Sequence, residues 1–134
     1  MSCLIVWGRT RELVAGDLPL GLTLLEAASL AQIQVVLDRQ GTALVLADPA
    51  LIEAERAAVE EWLERGAKLK AVLVAVVEAG RADDVLQRLA FLDDVMMKPV
   101  TPQRLRLRLE RAFESLHGRR ALEQLEAALA RKGR

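Results

Sequence analysis

Residues 92–104 read LDDVMMKPVTPQR. An apolar run, Val95-Met96-Met97, stops at Lys98-Pro99, and Thr101-Pro102 then opens a helical pattern. Threonine is a good N-cap, and proline is tolerated at the first helical position because the N–H it lacks would be unpaired there anyway. The stretch predicts a short buried strand, Val95–Met97, that ends in a lysine and is followed by a helix. What the lysine is for depends on what else ends at the same level.

Four more apolar runs precede it: Cys3–Trp7 (CLIVW), Leu22–Glu26 (LTLLE), Ala43–Ala47 (ALVLA) and Ala71–Val77 (AVLVAVV). The last is apolar without alternation, as a strand covered on both faces should be. Helical spacing fills the gaps. Ser29–Gln40 carries Leu30, Ile33, Val36 and Leu37 and is closed by Gly41. Ala50–Arg65 alternates acids with apolar residues at 3–4 spacing and is closed by Gly66, and Ala82–Phe91 is a further helical segment. The first gap differs. Residues 8–21, GRTRELVAGDLPLG, have room for one turn around Glu12–Ala15, so the first helix is shortened or missing. Leu18 and Leu20, a partner chain or the last helix are the candidates to cover the sheet there.

After Pro102 the helical pattern runs almost to the end. Leu105, Leu109, Ala112 and Leu116 keep coiled-coil spacing, Gly118 interrupts, and Leu122, Leu125 and Leu129 resume in a shifted phase. Either one helix carries a stutter at Gly118 or two helices meet there. A continuous helix over 102–131 would be about 45 Å long at 1.5 Å per residue, so its last turns would project. Residues 1–117 are read as one domain and 118–134 as a helical extension or linker.

Strands alternating with helices imply parallel pairing through right-handed crossovers. The expectation is an α/β fold: a doubly wound, five-stranded parallel sheet of order 2-1-3-4-5 with an extended C-terminal helix. Such sheets place functional groups at the carboxyl ends of the strands. Here those ends are Trp7-Gly8, Asp48, Val76-Val77 and Lys98.

Composition narrows the function. Of 134 residues, 19 are Lys or Arg and 19 are Asp or Glu, so the basic surplus of a nucleic-acid binder is missing. Four aromatics and no tyrosine leave little for base stacking. One cysteine, Cys3, cannot form an internal disulfide and predicts a reducing, cytoplasmic setting. No apolar stretch reaches the roughly 18 residues that span a bilayer, and the N-terminus lacks the order of a signal peptide. Cys3 and Trp62 read as core, one of Met96 and Met97 as core, and His117 as a solvated helix residue. No glycine-rich phosphate loop is present, VEAGRADD included.

ALVLADPA at 43–50, LDDVMMKPVTPQRL at 92–105 and LTLLEAASLAQIQVVLDRQG at 22–41 together resemble the receiver domain of bacterial two-component response regulators, over most of residues 3–117. The resemblance implies a flavodoxin-like fold, with Asp48 at the phospho-acceptor position and Lys98 reaching the acyl phosphate. It also implies a Lys98–Pro99 bond of the kind that is often cis. Phosphoryl transfer to a carboxylate needs Mg²⁺ on hard oxygens. The family holds the ion on an acidic pair at the end of strand one, where this chain has Trp7-Gly8-Arg9. Val76 stands where the family has a serine or threonine, and Val95 where it has an aromatic switch. Glu12 and Asp17 are the remaining acids for a metal site of unusual make-up.

The resulting expectation is a degenerate receiver, or pseudo-receiver, with no enzymatic role, no cofactor and no metal. Asp48 and Lys98 would then form an ion pair. The domain would act as a phosphorylation-independent interaction module, as a homodimer and with a signalling protein or another domain of a longer chain. It would use the face made by the 82–91 segment, the fifth strand and the last helix. Val95, Arg104, Arg108, Arg111, Leu122, Leu125 and Leu129 are the interaction candidates. The alternatives are a response regulator phosphorylated on Asp48 and a different flavodoxin-like domain that binds a small ligand.

Overall fold

The run Ala71–Val77 is buried at all of its positions, which puts it in the middle of a sheet. The computed structural model describes residues 2–14 and 22–132. The strands are β1 (Ser2–Trp7), β2 (Leu22–Ala27), β3 (Ala43–Ala47), β4 (Ala71–Val77) and β5 (Asp94–Met97). They form one five-stranded sheet in the order β2-β1-β3-β4-β5, every pair parallel. This is the doubly wound, flavodoxin-like α/β fold expected above.

The helices are α1 (Thr10–Leu13), α2 (Leu30–Gln40), α3 (Pro49–Ala54), α4 (Arg56–Glu64), α5 (Ala82–Arg88) and α6 (Pro102–Lys132). Local chemistry sets their ends. Ser29 caps α2 by accepting from the Gln32 N–H, and Gly41 ends it at φ 86°, a value that side chains with a Cβ resist. A 3-10 turn, Ala67–Leu69, leads into β4.

Strand alternation splits the core in two. Ile5, Trp7, Val45, Leu73 and Val77 face Ile33, Ile52, Val59, Trp62 and Val85 from α2–α5. Leu4, Val6, Leu46, Val74 and Val76 face the other way, onto Leu105, Leu109, Ala112 and Leu116 of α6. Cys3 lies in the first cluster, where burial raises its thiol pKa. Leu13 and Val14 join the second cluster, and Val14 bridges to Val100. These two residues cover part of the sheet where the first helix is short. Leu18 and Leu20 lie outside the described residues.

Three helical expectations are corrected. The expected single helix over 50–65 is two, α3 and α4, divided at Glu55 (φ −118°, ψ 28°), whose carboxylate accepts from the Leu30 N–H at the start of α2. The segment expected to be helical to Phe91 ends at Arg88. The chain turns at Leu89 so that Leu89 and Leu92 both enter the first core cluster. The single turn expected at Glu12–Ala15 lies earlier, at Thr10–Leu13.

The last helix is continuous through Gly118. It stays tied to the domain just past that residue. Arg119 pairs with Asp93 and donates to the Lys68 carbonyl at 2.9 Å, and Arg120 Nε donates to the Leu69 carbonyl at 2.8 Å. Asp93 in turn accepts from the Leu73 N–H at 2.8 Å. No helix among the described residues is long and apolar enough to cross a membrane.

Candidate functional site

The carboxyl ends of β3, β4 and β5 frame a cleft of about 330 Å³ that includes Asp48, Val76, Val77, Glu78, Arg81 and Lys98. The strand register brings them together. Ala47 pairs with Ala75, and Val77 with Met97. Glu78 and Lys98 are therefore the first residues past two paired positions, and the Lys98 N–H still donates to the Val77 carbonyl at 2.8 Å. The Lys98–Pro99 peptide is cis.

The expected Asp48–Lys98 ion pair is not formed. Lys98 Nζ stands 3.4 Å from a Glu78 carboxylate oxygen. Asp48 is instead the N-cap of α3: its Oδ1 accepts from the Ala50 N–H at 2.9 Å, and Pro49 takes the first helical position. Register supplies the reason. Asp48 lies level with Val76 and Met96, so Lys98 emerges two residues, about 6–7 Å, further along the strand direction. Glu78 lies directly beside it. An aspartate before a proline also has a demand closer at hand, the unpaired N–H groups of the helix it opens.

The remaining cations of the cleft are paired, with Glu53 inside it and with Asp84 beside it. Arg88 Nη1 donates to both oxygens of Glu53, at 2.9 and 2.8 Å, and Arg88 pairs with Asp84 as well. Arg81 also reaches Asp84, at 3.7 Å. Lining acids and bases balance at three each: Asp48, Glu53 and Glu78 against Arg81, Arg88 and Lys98. Val76 is fully buried beneath the cleft and offers no hydroxyl.

The tip of β1 lies beside β3, with the Asp48 N–H donating to the Trp7 carbonyl at 3.4 Å. Trp7 is fully buried, and its indole N–H has no protein partner. Gly8 follows at φ 130°, a backbone conformation that residues with a Cβ adopt only under strain. Thr10 donates from its N–H and its hydroxyl to Glu26 Oε1, at 2.9 and 2.6 Å. No group of three or more His, Cys, Asp or Glu among the described residues is placed to hold a metal ion. Asp17 and the side chain of Glu12 lie outside the described residues.

The interaction candidates divide. Arg104 and Arg111 are exposed, as are Leu122, Leu125 and Leu129. Val95 is half-buried against the core under α5, which limits what it can offer a partner. Arg108 is 13% exposed and paired with Asp94 at 3.5 Å, so it braces α6 against β5. Met96 is core and Met97 is exposed. Glu53, Glu78, Arg81 and Arg88 were not singled out in the sequence. Position alone could have flagged two of them, since Glu78 and Arg81 follow the end of β4, where such sheets gather their groups. Two roomier concavities, about 670 and 720 Å³, lie at the opposite edge of the sheet, where α6 passes the 3-10 turn.

No family model matches the chain, and no curated protein or solved structure matches it.

Proposed function

We propose that this chain is a degenerate receiver domain that signals by contact, without phosphoryl transfer. The observation that carries the proposal is the pairing at the strand ends. A phospho-acceptor needs a free carboxylate, a cation that reaches it, a hydroxyl and a divalent ion held by hard oxygens. Asp48 is engaged as a helix cap and Lys98 is engaged by Glu78. Val76 lacks the hydroxyl, and the tip of β1 carries Trp7-Gly8-Arg9 in place of acids. The cleft serves as structural bracing, and the protein works through its exposed face. That face comprises α5, β5 and α6, with Arg104 and Arg111 outward. A homodimer and a signalling partner, or another domain of a longer chain, are the contacts proposed, in the cytoplasm.

The test is to incubate the protein with Mg²⁺ and a small phosphodonor, or with beryllofluoride, and follow its mass and NMR spectrum. The expected result is no adduct and no shift. A Mg²⁺-dependent adduct that Asp48→Asn abolishes would sink the proposal and make the chain a phospho-switch. The asparagine keeps the helix cap, so a lost adduct could not be blamed on misfolding.

A further inference from the structure

The second half of α6 carries a feature its own domain does not use. Leu122, Leu125 and Leu129 are 56%, 56% and 60% exposed. At about 100° per residue they lie about 180–240° round the helix from Leu116, the last residue buried against the sheet. The three leucines are spaced 3 and 4 apart, the narrow seam of a helix pair rather than the broad stripe of a helix lying on a sheet. Gly118 is as unexplained as the leucines. Glycine weakens a helix interior, and a Cβ built at Gly118 would meet nothing within 4 Å.

We propose that a second copy of this chain covers the seam, its α6 running antiparallel, with Leu129 of each copy seated over Gly118 of the other. The register follows from the residue numbers. Setting Leu122 against Leu125 of the second copy also sets Leu129 against its Gly118, because both pairs share one centre between residues 123 and 124. The same two-fold then fixes the flanks. Ala121 meets Ala128 of the second copy, which lets the backbones approach. Arg119 meets Glu126 of the second copy, opposite in charge. Every contact is repeated by symmetry, as a closed two-fold pair requires. A parallel pair fits worse, since it would stack Gly118 on Gly118 and leave a void in the seam. Arg119 keeps its bond to Asp93, so Glu126 adds to a pair already made within the chain. The seam faces away from the sheet, so the two domains lie on opposite sides of the helix pair.

This deepens the homodimer reading by assigning its surface, and it stands apart from the chemistry at Asp48. A Mg²⁺-dependent adduct there would overturn the degenerate-receiver proposal and leave the helix pair untouched.

Sedimentation of the full chain across the micromolar range tests it. The wild type is expected to move from one chain mass to two. Leu125→Asp is expected to weaken self-association by about tenfold or more, with circular dichroism and melting unchanged at sub-micromolar concentration, where the wild type is also a single chain, because Leu125 touches nothing in its own domain core. Gly118→Leu separates the two registers. It improves the helix and fills the hole that Leu129 needs, so association falls by about tenfold while helicity holds. In a parallel pair it would add a leucine layer and tighten the dimer. Tightening by Gly118→Leu overturns the antiparallel register. A wild type that stays monomeric throughout overturns the pair, as does association that Leu125→Asp leaves unchanged.

Discussion

The two halves of α6 carry apolar residues, Ala112 among them, at the same alternating three- and four-residue spacing and put them to opposite uses. In the first half, Leu105, Leu109 and Leu116 are buried and make α6 the only long helix on its side of the sheet, among the described residues. In the second half, Leu122, Leu125 and Leu129 point to solvent, while Arg119 and Arg120 hold the helix to the domain. The difference teaches that heptad spacing fixes where leucines sit on a helix but not what they meet. Between Leu116 and Leu122 the phase slips, so one stripe serves the fold and the other is left for a contact. The polar anchors fall at the changeover, where Arg119 and Arg120 occupy the inward face that leucines held a turn earlier.

That contrast can be broken or sharpened by substitution. Leu105→Ala should have the largest effect. It empties a fully buried site beneath α6 and is expected to cost about 2–5 kcal/mol, read by denaturant unfolding with the buried Trp7 and Trp62 as fluorescent reporters. A cost under about 1 kcal/mol would mean that α6 does not carry its face of the sheet. Arg119→Ala comes next, at about 1–2 kcal/mol. It strips Asp93 and the Lys68 carbonyl of a partner in a half-buried setting, between the values for exposed and buried charged bonds. Hydrogen exchange should show the turns after Gly118 opening more readily, with those before it unchanged.

Gly118→Ala is expected to run the other way. At sub-micromolar chain concentration, where no second copy is bound, it should stabilise the chain by about 1 kcal/mol, because the helix interior gains a better former and the added Cβ meets nothing. A thermal melt that falls would show that Gly118 is needed within its own domain. Leu125→Ala should do least, within about 0.5 kcal/mol when measured at sub-micromolar chain concentration, where self-association is absent. The ratio of the Leu105 and Leu125 effects is the quantitative form of the contrast.

Much of the fold was legible in residue order. The runs CLIVW, LTLLE, ALVLA, AVLVAVV and VMM each became a strand, with ends within one residue of the expectation. In β1, β3 and β4 burial of both faces leaves such a mark because the positions between two helical layers must be apolar. The helix ends at Ser29 and Gly41 were readable for a similar reason, since a cap is a local demand that one residue type meets best. Glu55 gave no such signal: glutamate is a good helix former, and nothing local marks the division between α3 and α4.

The candidate site was legible in part of its membership and not in pairing. Residue order placed Asp48, Val76 and Lys98 at one edge, and they line one cleft. It did not say which charge would meet which. A charged group takes the nearest partner of opposite sign, and nearness between strand ends depends on register. Asp48 and Lys98 are separated by two strand positions and two residues of rise, which gave Lys98 to Glu78 on the neighbouring strand and left Asp48 to the Ala50 N–H. The order of apolar and polar residues was enough to specify a five-stranded parallel sheet, because burial is a property each residue declares alone. Partnership is a property of two residues, and distance in space settled it.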